Sequence, residues 1–591
     1  MLVYYNPKTM KNSSKLINIS LASLFSLTLI AQEKQVDDDL GTQEVTVVKS
    51  YRPSLKDVFK IRTTPKVDDS LIQKKQQVNY TFQSVPVVST FVPNKATPLK
   101  LQRQQANRFH NSYLSGGFGS KSQMLLNFTS TVPLDRTQSV GLDLRYTSLD
   151  EIPETILESS QKRLTLNMLH QYKLRNMRVD SDLRFDRQSH NFFGLRGANW
   201  DNIPSFRSTI IDPKQNLNYL SIQSKWQWYE SAFRKVNFNT HITTDSFDST
   251  EHIIKINTLL RIPLFGQYLE LTPNFELINS SFVSGYYSDQ PLDFKKGLAQ
   301  LQLQFLNIGE KLNFRIGANG FYPTADESKI YVYPKVEFSY KTNSGKMVPF
   351  IDYQGAYKLN SFTSFSLENP YVAPSLDIQS TQVNHEGNVG FKAYPGSGLS
   401  FKLVAHYSEY DNYAMFMGLP YDNFNNDVAY RLGNSFGVVY DSLEKIGLTT
   451  GISMHFSEFN KLSLDASYFD YKRANNDPVW NIPALTINFE GNFKLGKKIF
   501  FQFSGNYMSK RDIVNHITTI NPLNINSPYT LDSLGAVFGI SSSITWKINS
   551  EWDLFYENKM FFGDVTSRWA YYQNQKQLHL GGIRYKFDIN L

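Results

Sequence analysis

Two short strings in this 591-residue sequence have the residue types of known catalytic or phosphate-binding motifs. Gly433-Asn-Ser-Phe-Gly437 matches the nucleophile-elbow pattern, in which a serine lies on a sharp turn between a strand and a helix. The following residues predict a strand, so we interpret this string as the end of a loop. Gly491-Asn-Phe-Lys-Leu-Gly-Lys-Lys498 is similar to a phosphate loop, but Lys498 occupies the position of the metal-binding Ser or Thr. We interpret Gly496-Lys-Lys498 as a tight turn.

Side chains that bind metals are present, but they are not spaced as metal ligands. The 10 histidines, such as His170 and His241, show no His-x-His or His-x3-His spacing. The cysteine count of 0 excludes thiolate ligands, disulfides and thiol nucleophiles. The run Asp37-Asp-Asp39 is not followed by the glycine-centred loop of a calcium site. We therefore predict no catalytic residue, no metal and no cofactor.

The composition indicates a membrane protein that is not built from helices. The chain contains 34 Tyr and 43 Phe, yet its mean hydropathy is -0.37, which is too polar for a bundle of membrane helices. Its net charge is +8, but no basic helix or aromatic-interleaved patch indicates nucleic-acid binding. We expect the surplus Lys and Arg to contact anionic lipopolysaccharide.

The N-terminus has the features of an export signal. Lys11 and Lys15 precede an apolar run that ends at Ala31, and polar residues follow at once. This run is shorter than the ~20 residues that a membrane-spanning helix needs. We predict that residues 1–31 are a signal peptide and that the protein is exported.

From residue 108 to residue 591 the sequence repeatedly alternates apolar and polar residues in segments of about ten. The C-terminal segment is the clearest, because Ile583, Tyr585 and Phe587 alternate with Arg584 and Lys586. One face of such a strand suits lipid and the other suits water. The predicted fold class is all-β: a transmembrane antiparallel β-barrel, preceded by a short N-terminal segment that is periplasmic or lumenal.

The connections between these segments alternate between short and long, as in outer-membrane barrels. Short turns are predicted at 135–138, 175–177, 265–267, 309–311, 394–398, 496–498 and 549–551. Long loops are predicted at about 149–162, 190–214, 283–296, 360–380, 411–441, 510–533 and 563–578. Counting in this way gives about 22 strands, an even number that leaves the N-terminal segment and the C-terminus on the periplasmic side.

The last part of the sequence resembles a known family. Ser533-Leu-Gly-Ala-Val-Phe538, Trp552-Asp-Leu-Phe-Tyr-Glu-Asn-Lys559 and Gly581-Gly-Ile-Arg-Tyr-Lys-Phe587 are similar to the last three strands of TonB-dependent receptors of the Bacteroidetes. Glu368-Asn-Pro-Tyr-Val-Ala-Pro374 resembles a loop of the same barrels. The resemblance implies a 22-strand barrel in the outer membrane of a Gram-negative bacterium, and it implies transport.

The sequence before the barrel departs from this family. Its receptors carry a plug domain of well over a hundred residues, whereas only residues 32–107 are present here, so we expect a reduced or missing plug. A strand formed by Glu44, Val45, Thr46, Val47 and Val48 is similar to the box that binds TonB by strand addition. We predict that residues 32–107 form an extended segment, either a vestigial plug or a partner-binding arm.

Three functions are left open by the sequence. The preferred interpretation is a membrane subunit of a multiprotein outer-membrane complex for assembly, export or transport. The alternative is TonB-dependent import of a solute, and a surface lipase barrel is a minor alternative. The expected protein partners are correspondingly a surface lipoprotein, an assembly or secretion subunit, or TonB.

A barrel of this size needs a seal, because about 22 strands enclose a wide lumen. The N-terminal segment, loops folded into the barrel or a partner protein could each supply it. Alternation also predicts a set of charged residues that face the lumen. We favour ion pairing among them along the wall over a role in solute binding. These residues are Asp143, Arg145, Asp182, Arg184, Asp186, Arg584 and Lys586.

Overall fold

The computed structural model describes residues 110–150, 157–195, 212–324, 329–396, 398–420, 428–474, 476–516, 529–563 and 565–590. The predicted signal peptide, the segment 32–107 and the TonB-box-like strand Glu44–Val48 lie outside these residues, and so do the first two residues of the predicted barrel.

The described residues form 24 strands, one short α-helix and a short 3-10 helix. The first twelve strands are β1 (Ser112–Gly119), β2 (Met124–Pro133), β3 (Gln138–Asp150), β4 (Ser160–Lys173), β5 (Met177–Asn191), β6 (Lys214–Trp228), β7 (Phe233–Thr244), β8 (Thr250–Leu264), β9 (Gln267–Phe282), β10 (Leu292–Ile308), β11 (Leu312–Pro323) and β12 (Tyr331–Tyr340). The others are β13 (Met347–Lys358), β14 (Thr381–Gly396), β15 (Leu399–Gly418), β16 (Phe436–His455), β17 (Lys461–Arg473), β18 (Leu485–Leu495), β19 (Ile499–Met508), β20 (Arg511–His516), β21 (Tyr529–Leu534), β22 (Val537–Lys547), β23 (Trp552–Phe562) and β24 (Gln577–Phe587). Helix α1 is Phe362–Glu368, and the 3-10 helix is Ala429–Arg431.

Twenty-two of these strands close into one antiparallel barrel. Each strand from β1 to β19 pairs with the next, β19 pairs with β22, and β24 pairs with β1 to close the ring. The two remaining strands, β20 and β21, pair with each other as a hairpin between β19 and β22. The predicted 22-strand barrel is therefore confirmed.

The two ends of the barrel differ in their connections. At one end, which we call the short-turn end, neighbouring strands are joined by brief turns such as Phe265-Gly266, where both residues have the positive φ of a two-residue hairpin turn. The start of β1 and the end of β24 lie at this end. The other end, the long-loop end, carries connections such as 192–213 and 359–380. The predicted alternation is correct, although 120–123 and 245–249 are short links at the long-loop end.

Two of the predicted long loops contain strand residues. The loop placed at 411–441 spans only 419–435, because β15 continues to Gly418 and β16 begins at Phe436. The loop placed at 510–533 contains the hairpin of β20 and β21. In both places the backbone keeps its strand pairing beyond the point where lipid-facing alternation ends.

Large apolar side chains cover the outer face of the barrel. Ile583, Leu554 and Ile316 are each 43–52% exposed, as lipid-facing residues are in the absence of lipid. Polar residues alternate with them and face inwards, as Arg584 does next to Ile583. None of the helices in the described ranges has the length and apolar character to cross a bilayer.

Candidate functional site

The connection between β13 and β14, residues 359–380, folds into the barrel, and we call it the inward loop. Its hydrogen bonds reach β4, β6, β7 and β8. In a ring of 22 strands, the strand directly opposite β13 is eleven strands away from it. Strand β8 is five strands away from β13, and β4 is nine strands away. The inward loop must therefore cross most of the lumen to make these contacts.

Helix α1 of the inward loop is fixed to the barrel wall by a buried carboxylate. Glu251 on β8 is 0% exposed, and its two oxygens accept hydrogen bonds from the backbone N–H groups of Phe362 and Thr363, each at 2.8 Å. Ser280 on β9 donates a third hydrogen bond to the same carboxylate. The first N–H groups of a helix have no partner within the helix, and a negative charge is favourable there. The N-cap Ser361 accepts from the next N–H group, that of Ser364.

Further contacts hold α1 against neighbouring strands. The hydroxyl of Thr363 lies 2.6 Å from that of Thr243 on β7, and the hydroxyl of Ser366 lies 3.1 Å from that of Tyr219 on β6. All four residues are buried. Together with Glu251, these wall residues come from the three consecutive strands β6, β7 and β8. The lumen-facing side of these strands therefore forms the binding surface for α1.

The second half of the inward loop packs on the opposite side of the lumen. Tyr371 stacks on Tyr572 of the β23–β24 loop with ring centroids 3.4 Å apart, and its hydroxyl accepts a hydrogen bond from Gln161 on β4. Burial raises the pKa of Tyr371 above its ordinary value, so its hydroxyl stays protonated. Val372 forms a parallel bridge with Phe436 at the start of β16. The inward loop is thus tied to the wall, to the β23–β24 loop and to the start of β16.

Other connections at the long-loop end join the inward loop in one apolar cluster, which we call the loop core. Tyr286 donates to the carbonyl of Pro420, Asn434 donates to the carbonyl of Phe192, and Tyr572 donates to the carbonyl of Asn434. Fully buried members of the loop core include Phe192, Phe282, Phe362, Met415, Met417, Trp480 and Tyr572. These connections therefore behave as a folded cap rather than as separate surface loops.

One acidic residue next to the loop core, Asp245, has a raised pKa. Asp245, in the link between β7 and β8, accepts hydrogen bonds from the N–H groups of Phe247 and Ser249. Burial raises the pKa of Asp245 to about 6 in spite of these bonds. Phe247, which this turn positions, packs edge-on against Tyr430 of the β15–β16 loop.

The predicted lumen-facing charges are placed in two separate ion-pair groups and one isolated set. Arg184 contacts Asp186 at 3.2 Å, and Arg163 on β4 contacts the same carboxylate at 2.6 Å. In the second group, Lys586 and Arg584 flank the buried Asp553 at 2.7 and 3.7 Å. No salt bridge within the described residues involves the isolated set, which is Asp143, Arg145 and Asp182; Asp143 accepts a hydrogen bond from Thr129 instead.

A polar pocket lies against the inward loop on the lumen side of the wall, and we call it the lumenal pocket. Its volume is about 390 Å³, within the range of small-ligand sites. The inward loop contributes Pro370, and strands at the β1–β5 and β23–β24 side of the barrel contribute the rest. The lumen-facing side chains among them are Thr147, Leu149, Gln161, Arg163, Gln188, His190, Lys559 and Leu578, with Gln123 from the β1–β2 link.

Comparison by sequence identifies no relative of this chain. No protein-family model matches it, and no curated protein matches it.

Comparison of the structure gives clear matches. The siderophore receptor PirA from Acinetobacter baumannii superposes with a TM-score of 0.59 at 12% identity, covering 82% of this chain and 81% of that chain. The FrpB iron transporter from Neisseria meningitidis gives 0.58 at 9% identity, covering 80% and 81%. The ferripyoverdine receptor of the outer membrane of Pseudomonas aeruginosa gives 0.56 at 10%, covering 82% and 72%. The chain has the barrel fold of these receptors. At such low identity the likeness concerns the fold alone.

The residues that anchor the inward loop were not found from the sequence. Glu251 sits on an ordinary alternating strand, and only the fold brings it to the start of α1, more than a hundred residues later. A local signal did exist, because Ser361 and Ser364 have the spacing of a capping box. Asp553 follows Trp552 in the segment that resembled the family, but the sequence did not indicate that two cations would converge on it.

Proposed function

We propose that this protein is an outer-membrane receptor that imports a solute through its barrel, with the inward loop as the gate. The observation that carries the proposal is that the inward loop crosses the lumen, packs against the wall and the loop core, and lines a polar pocket. A static structural subunit would need a sealed barrel, but it would have no use for a pocket of ligand size beside the seal.

The size of the barrel supports a gated route. A ring of 22 strands encloses a lumen that needs to be filled, and the described residues fill its long-loop end with the chain's own loops. The solved structures with this barrel fold are named as siderophore receptors and an iron transporter. Import is therefore favoured over the preferred interpretation from the sequence, a subunit of an assembly or export complex, for which the comparisons give no support.

The proposed orientation follows the rule for outer-membrane barrels. Short turns and both chain ends face the periplasm, and long loops face outwards. The loop core would then meet external solutes first, and residues 32–107 would begin in the periplasm. In this arrangement Glu44, Val45, Thr46, Val47 and Val48 could pair with TonB by strand addition, so we retain TonB as the proposed energy-coupling partner.

Copurification from the native membrane in mild detergent tests the proposal. We expect a TonB homologue or a surface lipoprotein to copurify with the full-length chain, and deletion of residues 43–48 to remove the TonB homologue while the barrel still folds. Stable copurification of assembly or secretion subunits alone would contradict import and favour the complex-subunit interpretation.

Orientation is tested separately by cysteine labelling, because the chain has no cysteine of its own. A cysteine at Asn425 should react with a membrane-impermeant maleimide on intact cells, and a cysteine at Lys497 should react only after the outer membrane is opened. The reverse pattern would invert the proposed topology.

A further inference from the structure

The lumenal pocket contains an excess of unpaired hydrogen-bond donors. Lys559 on β23 is exposed to the pocket, and its nearest noted partner is the ring of Phe561, 5.0 Å from the ammonium nitrogen. No carboxylate in the part of the chain that the structure describes lies within ion-pair distance of Lys559. A lysine without a carboxylate partner has ammonium N–H donors available to a ligand.

The neighbouring cation in the pocket leaves donors available as well. Arg163 uses its Nε and one terminal nitrogen on Asp186. A guanidinium has five N–H groups, so this pair does not exhaust its capacity. Arg163 shares Asp186 with Arg184, so its charge is only partly compensated, and Lys559 adds a cation that has no carboxylate partner.

A buried histidine forms the side of the pocket next to the inward loop. His190 is 4% exposed, it lines the pocket, and its Nε2 has no hydrogen-bond partner among the described residues. Because this nitrogen is enclosed by protein atoms, His190 shapes the wall of the pocket and does not bond to a solute. The edge of the His190 ring also meets Tyr371 of the inward loop, with ring centroids 5.3 Å apart.

We propose that the lumenal pocket binds a small anionic solute, one that carries carboxylate or phosphate groups, with Lys559 as the charge partner and Arg163 as a hydrogen-bond partner. The inference rests on the proposed function, since a solute site inside the barrel is expected of a transporter. The amide side chains of Gln161 and Gln188 suit the remaining polar groups of such a solute. A volume of about 390 Å³ limits the solute, or the part of it that enters, to the size of a small metabolite.

The location of the pocket links binding to the gate. Pro370 lines the pocket and the next residue, Tyr371, accepts a hydrogen bond from the pocket residue Gln161. A solute that engages Gln161 competes for this bond. Solute binding in this pocket therefore weakens a contact that holds the inward loop.

Isothermal titration of the purified full-length protein in detergent tests the proposal. The probes are citrate for carboxylate chemistry, inorganic phosphate for phosphate chemistry and glucose as a neutral solute, all at one ionic strength set with sodium chloride. We expect citrate or phosphate to bind and glucose not to bind. Citrate alone would assign the site to carboxylates, and phosphate alone would assign it to phosphates.

Three variants locate the site. Lys559→Gln should weaken anion binding by about tenfold or more, as expected for loss of a charged hydrogen-bond partner. The matched control Lys547→Gln removes a lumen-facing charge near Phe500 and outside the pocket, and it should change the affinity less than twofold. Leu578→Trp should abolish binding by filling the pocket without changing its charge. Heat-dependent gel mobility confirms that each variant is folded.

The proposal is overturned if neither anion binds, if glucose binds as tightly, or if Lys559→Gln and Lys547→Gln have equal effects. These results would leave import standing with another class of solute. Conversely, anion binding that depends on Lys559 in a protein that copurifies only with assembly subunits would refute import and retain the site.

Discussion

The two ends of the barrel lumen are organised in different ways. At the long-loop end, aromatic and aliphatic side chains from many connections bury one another, as Tyr371 and Tyr572 do. At the short-turn end, the lumen wall carries charged side chains in local pairs, such as Lys586 with Asp553 and Arg261 with Glu270. The first region resembles the core of a globular domain, and the second resembles the wall of an aqueous channel.

This difference indicates where the stability of the protein resides and how the inward loop is attached. A barrel wall gains its stability from backbone pairing and from lipid on its outer face, so its lumen side can remain polar. The loop core has the buried apolar contacts of a separate folding unit, attached through a small number of polar anchors. Those anchors, above all Glu251, are where the inward loop can be released without unfolding the wall.

The largest effect is expected from the buried anchor. Glu251→Ala leaves the N–H groups of Phe362 and Thr363 and the hydroxyl of Ser280 without their partner, which should cost about 3–5 kcal/mol of local stability. Hydrogen exchange of residues 361–368, followed by mass spectrometry, measures this loss. The control Glu337→Ala removes a partly exposed carboxylate of the wall and should leave that exchange unchanged. Equal protection of α1 in both variants would show that Glu251 does not hold the loop.

A charge on the outer face should have the next largest effect. Ile583→Arg places a cation among lipid tails, where it costs about 2–4 kcal/mol near the bilayer centre. Gln502→Arg, on the lumen face of β19, is the matched control and should fold normally. The measurement is the yield of heat-modifiable barrel in lipid vesicles. If both variants fold equally well, the assignment of faces is wrong.

A smaller effect is expected at the paired charges of the wall. Asp186 is 3% exposed, but its partners Arg163 and Arg184 are about half exposed, so water screens much of the interaction. Asp186→Asn should therefore lower the free energy of unfolding in vesicles by about 1–2 kcal/mol. A loss as large as that of Glu251→Ala would mean that the wall and the loop core are not distinct in the way described.

The smallest effect is expected where both partners are exposed. Arg315 and Glu337 form a pair at 2.8 Å on neighbouring strands, with side chains 44% and 31% exposed. Arg315→Gln should change the free energy of unfolding by about 0–1 kcal/mol. Urea unfolding in the same vesicles measures this change. A larger loss would show that this ion pair contributes substantially to the stability of the wall.

The barrel could be predicted from the sequence because lipid imposes a simple pattern. Alternation in β24, with Ile583 and Tyr585 against Arg584 and Lys586, and the alternation of short and long connections together give the number of strands. The same physics explains the errors: β15 and β16 extend past the membrane, where alternation is no longer required but pairing between Met417 and Gly437 continues.

The site could not be predicted in the same way because it depends on contacts between distant segments. The sequence left inward-folded loops open as one of three seals, and it included 360–380 among the long loops. It could not indicate that Thr363 would meet Thr243, or that Pro370 would line a pocket with Lys559. Such contacts leave no periodic pattern in the sequence, since each loop residue contacts a different part of the wall.

The conductance of single molecules in planar bilayers tests the central claim, that the inward loop obstructs the lumen. Asn360 and Thr381 are already joined by a 2.8 Å hydrogen bond between their side chains, so a short Gly-Ser linker can replace residues 361–379 without moving β13 or β14. We predict that the full-length protein stays closed and that the excised variant forms wide, steadily open channels. A full-length protein that is already widely open, or an excised variant that stays closed, would contradict the account.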